Sequence, residues 1–319
     1  MEFKKICDLQ AGNRVDGFYL IKSVLCRVSS NNKKYYDFTF ADKTGEINAK
    51  LWDAEENEDN IYIENKLVKV RAAVVQWQNS LQLKIDKIRL VTDEDNVVMS
   101  EFVPSAPYEG EEMYIEMLQY VDKIENEHIK NIVNYIIDKI GDKLINFPAA
   151  KKNHHAVRGG LLYHVTTMLK AGEKLLEVYD FLNKDLIYAG VILHDMAKID
   201  EMDASELGIV KDYTIEGQLL GHIVMGAENI REAANEVKAD NEISLILQHM
   251  IIAHHYEAEY GSPKKPMIPE AQMLHYLDDM DATMYDMKKA IDGTQIGTMS
   301  EPVWSLEKRK IYKYSFDAR

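Results

Sequence analysis

The hydrophobic period of this chain changes once. Over the first hundred residues apolar side chains recur at every second position: Tyr36, Phe38 and Phe40 alternate with Asp37 and Thr39, the pattern of a half-buried strand. Asp42-Lys43-Thr44-Gly45 reads as a turn, after which Glu46 to Trp52 alternates again. Leu67 to Val75 and Leu81 to Val91 are rich in Val, Ile and Leu and flank the turn-like Gln78-Asn79-Ser80. With Gly17 to Val28 this predicts about five strands and little helix, which suits a five-stranded β-barrel of the OB type. A small β-sandwich is the alternative that strand counting leaves open.

Between Thr92 and Gly110, acidic residues together with Ser100, Pro104, Ser105 and Pro107 break the alternation, as a linker would. Beyond it the period is helical: Met113, Met117, Tyr120 and Ile124 recur at steps of three and four, as do Ile132, Ile136 and Ile140. A helical bundle is expected to about Lys289. The expected organisation is α+β multidomain, with a barrel over 1–92, a linker over 93–110 and an all-α unit over 111–319.

Bulk properties narrow the setting. The 319 residues suffice for two separate cores. Cys7 and Cys26 are too few for a disulfide framework and are expected to be ordinary reduced thiols. Met1-Glu2-Phe3-Lys4-Lys5 leads into a polar segment without an apolar signal core, and no apolar run approaches the roughly 20 residues that span a bilayer. A cytoplasmic protein without a membrane partner is therefore expected. The net charge of −15 argues against a general nucleic-acid coat protein. It leaves a nuclease open, because a site for divalent cations is itself carboxylate-rich and the ions reverse the local sign. Residues 1–100 are close to neutral, so most of the acidity lies in the helical part.

Nine of the ten histidines fall between residues 154 and 275. His164 closes Gly159-Gly160-Leu161-Leu162-Tyr163-His164. His194-Asp195 ends the apolar run Ala189-Gly190-Val191-Ile192-Leu193, and His222 follows Leu220-Gly221. His254-His255 follows Ile251-Ile252-Ala253, and Asp278 follows Tyr276-Leu277. Each gap accommodates a helix and a turn, so each group can come from a different helix and converge on one bundle interior. Imidazole and carboxylate together suit manganese, iron, zinc or nickel, and suit calcium poorly. Seven candidate ligands exceed the needs of one tetrahedral ion; two ions bridged by Asp195 and a hydroxide would use them, generating a nucleophile and neutralising phosphate oxygens together. Against this stands the ordinary fate of a lone helical histidine, which is to be packed or solvated. Lys198, about one turn beyond His194, is placed to bind a scissile phosphate as a point charge, or to end a helix in solvent.

The ordered set His164, His194-Asp195, His222, His254-His255, Asp278 resembles the HD phosphohydrolase superfamily. The likeness is closer to the YhaM-type 3′→5′ exoribonucleases, which join an OB domain to an HD domain. Further matching stretches are Asp42-Lys43-Thr44-Gly45-Glu46-Ile47 with Ala49 and Leu51-Trp52-Asp53; Phe147-Pro148-Ala149-Ala150 with Asn153-His154-His155; and His194-Asp195-Met196-Ala197-Lys198. Glu259-Tyr260-Gly261-Ser262-Pro263, His275-Tyr276 and Asp281-Ala282 also match. By position, the resemblance implies that His164, His194, Asp195 and Asp278 hold a first metal, and His222, His254 and His255 a second. It implies two divalent ions, manganese first, with iron, nickel, zinc or magnesium as alternatives. Family members often carry Gly after the double histidine, where this chain has Tyr256-Glu257. Tyr256 is thus a candidate to stack on a base or to narrow the pocket. Asp281 is expected to support a ligand from behind.

His154 and His155 are candidates for phosphate contact, with a plain loop as the equal alternative. His249 and His275 are expected in the core, and His128 in solvent. In the barrel, Lys33, Lys34, Tyr35 and Tyr36 form the candidate single-strand contact, with Trp77 as a second platform, although one tyrosine of the pair must point inward. Phe38, Phe40 and Trp52 are expected to fill the barrel. Lys308-Arg309-Lys310 and Lys313, after Trp304, form a basic run that either grips a backbone or is a solvated face.

The expected function is metal-dependent 3′→5′ hydrolysis of single-stranded RNA to nucleoside 5′-monophosphates by a metal-activated hydroxide, with Asp195 and Lys198 in the chemistry. Single-stranded DNA remains open as a substrate, as does a homo-oligomer. The alternatives are a phosphodiesterase or phosphohydrolase of a small nucleotide, and a non-catalytic single-strand-binding replication or regulatory protein.

Overall fold

A computed structural model of the chain describes residues 4–29, 31–52, 61–78 and 80–316. Asp53 and Asn79, named above, lie outside them, as does the Met1-Glu2-Phe3 start. The chain divides into two compact units, Met1–Ser105 and Ala106–Arg319.

In the first unit the alternating segments form five strands: β1 Arg14–Val28, β2 Lys34–Asp42, β3 Gly45–Trp52, β4 Leu67–Trp77 and β5 Ser80–Leu90. They close in the order β1-β2-β3-β5-β4, a five-stranded OB-type barrel. The long β1 makes closure possible. Its first half pairs with β4 and its second half with β2, and Leu20 is shared between Ala41 and Leu67. A register shift between Ile21 and Ser23 bends the strand at this handover. The inward positions Tyr36, Phe38, Phe40, Ile47, Ala49, Val68, Val70, Ala72, Val74, Leu83 and Ile85 are all buried in one core. The turn before β3 is held by Asp42, whose Oδ1 accepts from the Thr44 N–H at 2.7 Å while its Oδ2 accepts from Ile6 N–H at 2.8 Å. Short 3₁₀ turns at Asp93–Asp95 and Met99–Glu101 occupy the stretch expected as linker. Arg89 reaches Asp95 at 2.7 Å and Lys43 pairs with Glu101, so this stretch folds back on the first unit.

The second unit is built from helices α1 Gly110–Asp122, α2 Glu127–Ile140, α3 Lys143–Asn146, α4 Gly160–Leu176, α5 Lys184–Leu193, α6 Lys198–Glu201, α7 Ile215–Glu236, α8 Asn241–Ala253 and α9 Pro269–Asp292. A hairpin of β6 Met202–Ala204 and β7 Val210–Tyr213 interrupts them, which the helical period did not predict. Several starts carry ordinary caps: Asn126, Asn183, Thr214 and Asp240 each accept from the backbone N–H of the second or third helical residue. One continuous apolar core runs through α1, α2, α4, α5, α7, α8 and α9. None of the described helices is long and apolar enough to cross a membrane.

Candidate metal centre

The site forms where α4, α5, α7, α8 and α9 deliver polar groups to one interior. α4 begins on Gly159 at φ 69° and Gly160, where a Cβ would lie 2.0 Å from the His155 carbonyl oxygen; only glycine lets the 147–159 loop press this closely on the helix start. His164, one turn in, is fully buried as a result. His194 and Asp195 sit just past the end of α5 and are equally buried. α7 breaks at Gly221, φ 72° and ψ 157°, and this left-handed step turns His222 toward Asp195. His254 and His255 follow the end of α8, and Asp278 projects from mid-α9.

The orientation of the rings is uniform. Nδ1 of His194 donates to the Val191 carbonyl at 2.8 Å, that of His254 to Ile251 at 2.6 Å, and that of His255 to Tyr260 at 2.7 Å. His222 Nδ1 donates to Glu201 Oε1 at 3.0 Å and His164 Nδ1 to Asp281 Oδ2 at 2.7 Å. A carbonyl cannot donate, so in the neutral rings the proton sits on Nδ1 and the Nε2 lone pair faces inward. Outer carboxylates and carbonyls that fix the tautomer in this way are how proteins present metal-binding imidazoles.

Asp195 stands at the centre with its two oxygens facing different groups. Oδ2 is 3.4 Å from His194 Nε2 and 4.0 Å from His164 Nε2; Oδ1 is 3.4 Å from His222 Nε2 and 3.9 Å from His254 Nε2. Donor atoms of His164, His194 and Asp195 lie within 4.8 Å of one another, and so do those of Asp195, His222, His254 and His255. Asp278 joins the two sets, with Oδ1 3.2 Å from His164 Nε2 and Oδ2 3.9 Å from His255 Nε2. The fit to a cation is tested by three buried atoms that find no hydrogen-bond partner: Asp195 Oδ1, His222 Nε2 and His254 Nε2. Buried polar atoms are normally satisfied, and these three converge on one side of the same carboxylate. The donor set fits a divalent ion.

Charge supports the same reading. Burial alone would raise the Asp195 pKa, but Lys198 and the neighbouring imidazoles hold it well below the usual carboxylate range. Burial likewise opposes charge on His164, yet Asp278 and Asp281 push it up to about 10, so an incoming cation would displace a proton there. Burial drives His154 down to about 4, which keeps it neutral at pH 7.

The HD domain family matches residues 161–283, the span that holds every group of this centre from His164 to Asp278. Two curated relatives cover nearly the whole chain. The 3′-5′ exoribonuclease YhaM of Geobacillus sp. (strain WCH70) is 39% identical over 315 residues, 99% of this chain and 96% of its own length. The protein of the same name from Shouchella clausii (strain KSM-K16) is 41% identical over 307 residues, 96% of this chain and 95% of its own. The chain belongs to the YhaM 3′-5′ exoribonuclease family. Among solved structures, the second OB-fold domain of replication protein A from Methanococcus maripaludis covers 28% of the chain at 19% identity and TM-score 0.24. The barrel class rests on its own strand order.

Within this YhaM-family chain several expected residues stand elsewhere than predicted. His155 is buried, donates to Asp281 Oδ2 at 2.8 Å and packs 4.0 Å from the Tyr285 ring, so it braces the support of His164 and is not exposed to a substrate. His154 does line the cleft over the centre. Lys198 lines it too, but its ammonium donates to Asp195 Oδ2 at 2.6 Å and so acts first on the carboxylate. Tyr256 adopts φ 66°, which explains why glycine suits this position, and its ring is engaged by His275 at 5.0 Å and by Lys265 at 4.3 Å. A free base-stacking face is thereby lost. His275 lines the cleft and is not core. His249 is half-buried and its Nε2 accepts from Met267 N–H at 2.9 Å.

In the barrel, Tyr36 is buried against Phe38 and Tyr62, because strand alternation gives it the inner face. Tyr35 takes the outer face and stacks on Trp52 at 4.6 Å; Trp52, expected inside, is 44% exposed. Lys50 lies 5.5 Å from the Tyr35 ring and 5.8 Å from the Trp52 ring. Lys33 and Lys34 are exposed beside this pair in sequence, and Trp77 is exposed at the end of β4. Two residues that the fold brings to the site had no signal in the sequence. Glu201 looks like its neighbour Asp200 until the fold buries one and exposes the other, and Trp304 reaches the cleft only because the C-terminal segment folds back to line it.

Proposed function

We propose that the chain hydrolyses single-stranded RNA from the 3′ end to nucleoside 5′-monophosphates, with two divalent ions, manganese favoured, held about Asp195. The observation that carries this is the convergence of four Nε2 atoms on one buried carboxylate, with three buried atoms left unsatisfied. His164, His194, Asp195 and Asp278 would hold one ion, and His222, His254 and His255 with Asp195 the other. Such ions lower the pKa of water and draw charge from phosphate oxygens. Glu201, Asp281 and the three carbonyls keep the imidazoles turned inward, so little reorganisation accompanies binding. His154 and Lys198 offer an uncharged and a charged contact to the phosphate at the cleft. The names of the relatives support RNA as the polymer, and the barrel supports it with Tyr35, Trp52 and Lys50 as an exposed platform for bases. Lys33 and Lys34 extend it as backbone contacts. No recognition of the 2′-hydroxyl is implied, so single-stranded DNA is a second substrate to be assayed. Incubation of the full-length protein and Mn²⁺ with 5′-labelled single-stranded RNA is expected to yield a ladder shortening from the 3′ end. Cleavage confined to mononucleotides, or binding without cleavage, would overturn the proposal.

A further inference from the structure

The C-terminal segment beyond α9 has a structure of its own and borders the proposed reaction site. Met299 bridges to Tyr312 and Val303 to Arg309, with Ser300 Oγ accepting from the Ile311 N–H at 2.9 Å. Leu306 is buried and anchors the loop of this strap. The strap forms one wall of the cleft of about 680 Å³ over the centre, facing His154, Lys198, His255 and Asp278. That is within the range of roughly 300–1,000 Å³ typical of small-ligand pockets. A second cavity of about 440 Å³ continues under the same strap, lined by Lys152 and Lys289 opposite Val303. Asn153, Asp286, Trp304 and Ser305 border both, so the two are one groove with Trp304 at the divide.

Trp304 is the largest exposed side chain of this groove. It is 78% exposed, with Lys308 lying 4.3 Å from its ring, and Tyr260, 72% exposed, lines the same cleft among histidines and carboxylates. Large aromatic surface held open in a polar groove suits a planar partner, and a base has a π-face whatever its identity. The cavity on the far side carries Lys152 and Lys289 together with the carboxylates Asp286 and Glu301, and the two ammonium groups are the parts of it that suit the next phosphates of a strand. Glu307, Asp279 and Asp286 in the wall disfavour an additional anion at the divide itself, which leaves the uncharged base as the matching part.

We propose that the groove between α9 and the C-terminal strap is the track of the substrate strand, in which Trp304 stacks a base next to the 3′ end and Lys152 and Lys289 take the phosphates upstream. This rests on the proposed reaction and adds the element that positions its substrate. Trp304 is a positioning residue in it.

The test uses the full-length protein and a decaribonucleotide of mixed sequence. Trp304→Ala is expected to raise KM about tenfold or more, the range that loss of one base–aromatic stack implies, with kcat affected far less. Trp304→Phe should recover most of the loss, which a merely structural role for the indole would not predict. In Trp52→Phe/Trp77→Phe protein, where Trp304 is the sole tryptophan, the same RNA should quench the fluorescence and shield it from acrylamide. An unchanged KM in folded Trp304→Ala protein, or RNA that binds without altering the Trp304 emission, would overturn the track. If the wild-type protein leaves the RNA intact, the proposed reaction fails, and the fluorescence still decides whether the strap binds the strand.

Discussion

The barrel and the helical unit bury their interiors to the same depth and fill them with opposite chemistry. The fully buried positions of the barrel core are Ile21, Phe38, Phe40, Ala49, Val68, Val70, Ala72 and Leu83, all apolar. At equal depth the helical unit holds His164, His194 and His254, with Asp195 nearly so. An apolar interior stabilises through burial and packing alone. A buried carboxylate ringed by imidazoles costs free energy unless partners satisfy it, and here one of its oxygens and two of the facing imidazole nitrogens are left without a partner. The helical unit is therefore built around a cluster that could hold a metal, and its apolar core supports that cluster at some cost to stability. The barrel's fully buried positions offer no such groups, and the proposed contact with a strand falls on its outer face, where Tyr35 and Trp52 stack.

The sharpest way to break this contrast is to remove the central carboxylate. Asp195→Ala should abolish release of mononucleotides in the labelled-RNA assay with Mn²⁺, and His194→Ala should do the same. Either protein should keep the barrel intact by hydrogen exchange, and retained cleavage would refute the metal assignment. The matching test in the barrel is Phe38→Ala, expected to destabilise that unit by about 3–5 kcal/mol in denaturant titration without touching the groups of the metal centre. If the loss falls below 1 kcal/mol, the barrel core is not packed as described. Glu201→Gln keeps the size and removes the charge behind His222, so metal affinity or activity should fall about 10–100-fold, measured by Mn²⁺ titration. Mn²⁺ itself should raise stability by about 2.7 kcal/mol at a hundredfold excess over Kd, with protection gained in α5, α7 and α8 and none in the barrel. Smallest of all, Trp52→Ala should weaken RNA binding several-fold by anisotropy while leaving barrel stability within about 0.5 kcal/mol, because its ring is on the surface.

Much of this was legible before the fold. The alternation of Tyr36, Phe38 and Phe40 identifies strand and inner face together, since the side-chain period of a strand is two and leaves one choice of register. The same rule predicts that Tyr35 faces out. It reaches Trp52 as well: with Ile47, Ala49 and Leu51 turned inward, Trp52 falls on the outer face with Lys50, opposite Tyr35 in the register, and the expectation of a barrel-filling Trp52 ran against the alternation. The histidine and aspartate set was legible as an ordered list, and the resemblance it carries is matched by two near full-length relatives. The division of labour within the list was not. His154 and His155 are neighbours, but the turn at His155, φ 52°, leaves one lining the cleft and buries the other behind His164.

Sequence alone determined the two periods, the five strands, the helical unit and the residue types of the centre, because these follow from local spacing and from chemistry each residue carries by itself. Tertiary structure decided which nitrogen of each imidazole faces inward, that Glu201 stands behind His222, that Lys198 pairs with Asp195, and that Trp304 borders the cleft. Some of these contacts are long-range, His222 with Glu201 and His164 with Asp281. Others, such as Lys198 with Asp195 and His194 with Val191, join neighbours in the chain but need the exact turn of the backbone at a helix end. Only a closed core sets the long-range distances, since the path between the groups runs through several helices whose packing no local pattern encodes.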